Sequence, residues 1–234
     1  ILPHATLSPN GLRPDWQGVR PAATKDMGNL THIDYGTSAV SRKTEGNPEG
    51  KGLNGFLLDW YESSPRGVIA KPRRQLLAEF FTSMLVLSAR FKYRPAIGTV
   101  NYLYWMDNEW SLSLIAPDEW SAERRAGFAG TCMLQRDMTW TIVPSDLLAE
   151  DNPVSEAIAR FYDAFAEILD TDLTLEEILP FYAGKLRYYQ RLYASALSRS
   201  MRAAVKLGDQ SSTSCRSWRA LLPRRQNDLL SYRC

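Results

Sequence analysis

Hydrophobic positions along the chain change their spacing several times. From Pro72 to about Lys92, the residues Leu76, Leu77, Phe80, Met84, Leu87 and Phe91 recur every three or four positions. That is the period of one helical face, with Pro72 suited to the first turn and Pro95 and Gly98 beyond the end. Between Thr99 and Val143 the period drops to two. Val100, Tyr102, Tyr104 and Met106 alternate with Asn101, Leu103 and Trp105, which predicts a strand. Asp107-Asn108 predicts a hairpin turn, and Trp110, Leu112 and Leu114 alternate with Ser111 and Ser113 along a second strand. Pro117-Asp118-Glu119 opens a short helical insertion. Phe128 to Gln135 and Thr139 to Val143 complete the meander.

Beyond the sheet the spacing becomes helical again. Asn152-Pro153 caps a helix that buries Ile158, Phe161, Phe165 and Ile168 or Leu169. Thr174-x-x-Glu177 is a capping box, and a long helix runs from about Phe181 to Leu207, ended by Gly208. The fold class that results is α+β: a short antiparallel β-meander of three or four strands packed against helices, with a C-terminal helical section. The core spans residues 56–207, with the sheet at 99–143 and helices at 72–92, 153–170 and 174–207. Residues 1–55 read as an irregular arm punctuated by proline and glycine. Phe56 to Tyr61 reads as a short strand. Residues 208–234 form a basic tail, read either as disordered or as a docking segment.

Composition narrows the class. Hydrophobic residues make up 44% and charged residues 23% of the 234, which excludes a wholly disordered chain. Apolar runs such as Met84 to Leu87 fall far short of the roughly 20 residues that a membrane-spanning helix needs. No signal peptide is expected in residues 1–20, which lack a basic start followed by an apolar stretch. A processed or truncated start stays open, because the chain begins at Ile1. Cys132, Cys215 and Cys234 form no C-x-x-C pair, so reduced thiols and a cytoplasmic setting are expected.

Charge is unevenly placed. Residues 185–234 carry 11 Lys/Arg and two Asp/Glu, whereas residues 95–184 carry four Arg and 16 Asp/Glu. Such segregation either steers a partner or docks one half of the molecule on the other. At 100° per residue, Lys185, Arg187, Arg191, Arg199, Arg202 and Lys206 share one arc of the long helix, opposite Leu186, Tyr189, Tyr193, Leu197 and Met201. A basic stripe of this kind suits an anionic partner, either an acidic protein or a nucleic acid; an anionic membrane surface has the same charge chemistry. No nucleic-acid-binding signature accompanies it.

Catalytic chemistry is thinly represented. His4 and His32, the two histidines, both lie in the arm. There is no Gly-x-Ser-x-Gly and no phosphate-binding glycine loop, and Cys132 reads as a small buried hydrophobe. Glu156, Asp163, Glu167 and Asp170 recur on one helix but lie opposite its apolar side and lack Glu-x-x-His, so they are expected to face water, and neither a metal nor a cofactor is expected. The aromatic residues Tyr102, Tyr104, Trp105, Trp110 and Trp140 could line a ligand pocket, with Asp137 as an acid/base beside them. The alternative is a filled core in which Asp137 braces the turn before Thr139. Gly130 marks a bulge or a close approach in the third strand.

The ordered segments Tyr102-Leu103-Tyr104, Ala116-Pro117-Asp118-Glu119-Trp120, Phe128-Ala129-Gly130 and Leu134 to Trp140 resemble the DUF2452 family of uncharacterised proteins. In that family a helix precedes a short sheet with a Tyr-Leu-Tyr strand, a Ser-Pro-x-Glu-Trp step and a final Leu-x-x-Asp-x-Ser/Thr-Trp. The resemblance covers about residues 75–142 and departs at Ala116, where the family tends to have Ser. It implies the fold unit and carries no activity. The leading functional expectation is a non-catalytic binding or assembly module using the basic helix and the aromatic sheet surface. The alternative is an enzyme with an aromatic pocket and a carboxylate acid/base.

Overall fold

The computed structural model describes residues 52–149, 151–179 and 186–230. Residues 1–51 of the expected arm at 1–55, Lys185 and the expected helix start at Phe181 lie outside them; the end of that arm is helical, from Leu53 on. In chain order come α1 (Leu53–Glu62), α2 (Arg73–Ser88), β1 (Val100–Met106), β2 (Glu109–Ser113), α3 (Ala122–Arg125), β3 (Phe128–Leu134), β4 (Trp140–Pro144), α4 (Pro153–Ile168), α5 (Leu175–Ile178), α6 (Tyr188–Leu207), α7 (Cys215–Arg219) and α8 (Asn227–Leu230). The fold is α+β, with four antiparallel strands in the order β2-β1-β3-β4.

Alternation builds the sheet as expected. Leu103, Leu112, Cys132, Leu134, Trp140 and Ile142 fall on the helix side and are buried. Tyr102, Ser111, Ser113, Thr131 and Val143 fall on the other. Asp107 and Asn108 take φ of 52° and 59°, the left-handed pair of a two-residue hairpin loop, which Asp and Asn tolerate best after glycine. Gly130 is explained by close approach: a Cβ there would sit 2.6 Å from the Val143 carbonyl oxygen and 2.9 Å from the Ile142 side chain. Opposite it, β1 shifts register between Leu103 and Tyr104.

α2 departs from the amphipathic expectation. Every residue from Leu76 to Leu87 is buried, so the helix is a central rod rather than a cover for one face of the sheet. Its apolar residues point in all directions, and only burial on all sides satisfies them. It meets β4 and β2 on one side and α4, α6 and α8 on others. Phe80 and Phe81 stack edge-on against Phe165 at 5.3 Å each, and Phe81 against Phe161 at 5.5 Å. The helix stops at Ser88, short of Lys92, because the chain turns extended at Ala89 and Arg90 joins the edge of β2. The Arg90 N–H donates to the Trp110 carbonyl, and the Leu112 N–H donates to the Arg90 carbonyl. Gln190 of α6 donates to the Leu87 and Ala89 carbonyls, which a helix end would otherwise leave unpaired.

Two more segments differ from the sequence reading. Phe56 to Tyr61 is helical, as part of α1, rather than a strand; a short apolar run does not distinguish the two by period. Residues 208–230 are packed rather than disordered. Trp218 is 1% exposed, and Cys215, Leu229 and Leu230 are buried with it. Tyr162 of α4 donates to the Pro223 carbonyl at 2.6 Å. Arg216 pairs with Asp172 at 2.6 Å and Asp170 at 3.3 Å, so this basic segment closes onto the acidic loop that follows α4.

Gly130→Ala should destabilise the protein by about 1–3 kcal/mol, the usual penalty of overpacking, read as a lower urea midpoint with an unchanged slope. An unchanged midpoint would remove the close-approach explanation.

Candidate functional site

The five aromatic residues expected to line one pocket lie on opposite sides of the sheet. Tyr102 and Tyr104 face outward. Tyr104 is fully buried there beneath Trp120 and Phe128, with ring centroids 6.2 and 5.5 Å away, and donates to the Ile115 carbonyl at 2.9 Å. Burial pushes its phenol up to about 12. Trp105 and Trp110 stack at 4.9 Å on the inner side, where Arg160 of α4 lies 5.7 Å over the Trp105 ring. Trp140 is 1% exposed in the core, and its backbone N–H donates to Ser83 Oγ of α2 at 2.8 Å. Its indole N–H has no partner among the described residues.

Asp137 sits in the β3–β4 turn and is 8% exposed. Oδ1 accepts from the Thr139 hydroxyl at 2.7 Å and the Thr139 N–H at 3.1 Å. Oδ2 accepts from Lys71 Nζ at 2.6 Å. The same ammonium donates to Glu79 Oε2 of α2 at 2.6 Å, and Gln75 donates to Glu79 Oε1 at 2.9 Å. One cation therefore bridges two buried carboxylates. Burial alone would raise the Asp137 carboxyl, but the hydrogen bonds from Lys71 and Thr139 and the charge of Lys71 hold it below the usual carboxylate range. Burial alone would lower the Lys71 ammonium, but the bonds and charges of Asp137 and Glu79 hold it above its ordinary value. A carboxylate so held accepts a proton poorly near neutral pH. The geometry is that of a brace between the hairpin turn and α2.

The two cysteines among the described residues are equally committed to packing. Cys132 is fully buried and Cys215 is buried beside Trp218, and burial raises both thiols, Cys215 to about 12. A low-pKa nucleophile needs the opposite environment. Among the described residues, no group of three His, Cys, Asp or Glu side chains could hold a metal ion. Glu156, Asp163 and Glu167 on α4, and Asp170 just after it, are exposed, as expected.

The basic stripe of α6 is partly turned inward. Arg199 lies 4.1 Å over the Trp60 ring of α1 and donates to the Ser63 carbonyl at 3.2 Å and Ser64 Oγ at 3.3 Å. Burial pulls its guanidinium below its ordinary value. Arg202 donates to the Leu179 carbonyl just beyond α5, and Lys206 lies 3.9 Å from Glu176. Arg187 and Arg191 are exposed. Half of the expected basic surface is thus the seat on which α1 and α5 rest.

The surface that sequence reasoning missed begins at α1. Asp59 and Ser63, 3% and 2% exposed, point into the protein. Asp59 accepts from the Tyr188 hydroxyl at 2.8 Å and pairs with Arg94 at 3.2 Å; Arg94 also pairs with Glu62. Phe56, Leu57, Leu58 and Tyr61 point outward. The next turn of chain brings Arg66 5.7 Å over the Tyr61 ring, and the Arg66 N–H donates to the Arg136 carbonyl at 2.9 Å. Arg66, Arg136, Arg73 and Arg74 are all exposed around the Lys71 brace. The signal available in the sequence was a run of apolar residues on three sides of a helix, followed by unmatched arginines.

No described helix is long and apolar enough to cross a membrane. Residues 71–161, less than half of the chain, match a family described as "Protein of unknown function (DUF2452)". The matched stretch includes Lys71, Glu79 and Asp137 and extends past the resembling segments into α4. No curated protein and no solved structure matches the chain.

Asp137→Asn should cost about 3 kcal/mol of stability at pH 7, because Lys71 loses a buried countercharge. The folded-state carboxyl lies below its unfolded value, so its contribution is present above about pH 4 and lost as pH falls through the folded value. The gap between variant and wild type should therefore narrow below about pH 4. A gap that is the same at acid and neutral pH would contradict the brace.

Proposed function

We propose that this protein is a non-catalytic binding module that docks on an anionic partner. The single observation that carries the reading is the outward apolar face of α1 with exposed Arg66 over its Tyr61 ring and exposed Arg136 joined to Arg66 through the backbone; Arg73 and Arg74 are exposed at the start of α2. None of the four makes an ion pair among the described residues. Arginines free of carboxylates are available to a partner's phosphates or carboxylates, and their forked donors suit both. Arg191 shares the α6 face of Tyr188 and Arg199, both of which meet α1, and so adds charge beside the same element. The aromatic cluster of Tyr102, Phe128 and Trp120 on the outer sheet, with Arg124 4.3 Å over Trp120, is a second surface consistent with binding. The environments of Asp137, Cys132 and Cys215 support a binding role over the enzymatic alternative, since each group is engaged in packing or bracing.

The test is retention of the full chain on immobilised heparin as a generic polyanion. Arg66→Ser with Arg136→Ser should elute at lower salt, and each arginine removed should weaken binding about fivefold, on the order of 1 kcal/mol per charge near an anionic surface. Affinity should fall as salt rises. Salt-independent retention, or no change on removing both arginines, would overturn the reading.

A further inference from the structure

Helix α1 is amphipathic in the inverse sense. A surface helix of a globular protein turns its apolar stripe inward, but α1 turns Asp59 and its C-cap Ser63 inward and leaves Leu57 51%, Leu58 56% and Tyr61 67% exposed. The polar contacts are specific: Asp59 to Tyr188 and Arg94, and Ser63 to Arg199. They fix which side faces out. A contiguous apolar patch held outward by buried polar bonds marks a docking surface.

The chemistry of the patch selects its occupant. Leu57 and Leu58 need an apolar bed, which the edge of a nucleic acid does not offer. A second copy of the chain would bring Arg66 and Arg136 beside the patch against their own counterparts, and like charges oppose such a pairing. An anionic phospholipid surface satisfies both halves: headgroup phosphates and carboxylates for the arginines, and the acyl boundary for the leucines. Tyr61, exposed and under the Arg66 guanidinium, is a side chain that favours the interface between the two. Resting on the reading of an anionic docking surface, we propose that α1 lies in the headgroup layer of a negatively charged membrane, as an interfacial helix that does not span it.

The experiment is co-flotation of the full chain with phosphatidylcholine vesicles, with and without phosphatidylserine, alongside heparin retention and thermal unfolding. Wild type should float with the phosphatidylserine vesicles and dissociate as salt rises. Leu57→Ser with Leu58→Ser should lower vesicle binding about fivefold or more while keeping heparin retention and the melting temperature. Arg66→Ser with Arg136→Ser should weaken both kinds of binding. Wild type that binds heparin through its arginines but ignores the vesicles would overturn the lipid assignment and leave the anionic reading standing, with an acidic protein as the occupant. Loss of thermal stability or of a dimer in the leucine variant, without wild-type flotation, would also overturn it, because another part of the chain or a second copy would then cover the face.

Discussion

The arrangement turns on a single ammonium. Lys71 Nζ lies 2.6 Å from both Asp137 and Glu79, with its side chain only 9% exposed. Removing two carboxylates and one amine from water is costly, and only close geometry with satisfied lone pairs repays it. Here Thr139 supplies two donors to Asp137, and Gln75 supplies one to Glu79. The cluster joins a turn of the sheet to the central helix through Lys71, which lies 66 residues before Asp137 in sequence. It also anchors the segment that leads from α1 to α2, which is fastened again where the Arg66 N–H meets Arg136 and where Arg199 meets Ser63. Together with the bonds of Asp59 to Tyr188 and Arg94, these three fastenings set the position of α1 and the surface it presents.

The separation of acidic and basic residues has a similar internal use. Arg216 and Arg219 reach Asp170, and Arg216 reaches Asp172. Lys206 lies near Glu176, and Arg202 meets the carbonyl of Leu179. Most of these pairs are exposed, and each contributes little alone; together with the buried Trp218, Leu229 and Leu230 they set the path of the chain after α6. Exposed charge without an ion pair among the described residues lies elsewhere, on Arg66, Arg73, Arg74 and Arg136, of which Arg66 and Arg136 meet through the backbone.

The parts of the fold visible in the sequence were those with local causes. The two-residue alternation from Val100 to Val143, the Asp107-Asn108 loop, the Asn152-Pro153 cap and the close approach at Gly130 each depend on neighbours in sequence or on one residue's stereochemistry. Asp137 was legible as a turn residue accepting from Thr139. Its partner Lys71 was not, because nothing in the spacing indicates a contact between segments so far apart. Strand parity puts Tyr102 and Tyr104 on one side and Trp105, Trp110 and Trp140 on the other, so the five do not line one face together. α1 was hidden for a different reason: its N-cap, Gly52, makes no side-chain capping bond, and its apolar residues face away from the core against which helical periodicity is normally read.

A double-mutant cycle between Lys71→Met and Asp137→Asn, followed by urea unfolding at neutral pH, tests the brace most directly. The account predicts a coupling energy of about 2 kcal/mol, within the range for residues sharing a buried network, whereas effects that add to within about 0.3 kcal/mol would contradict it.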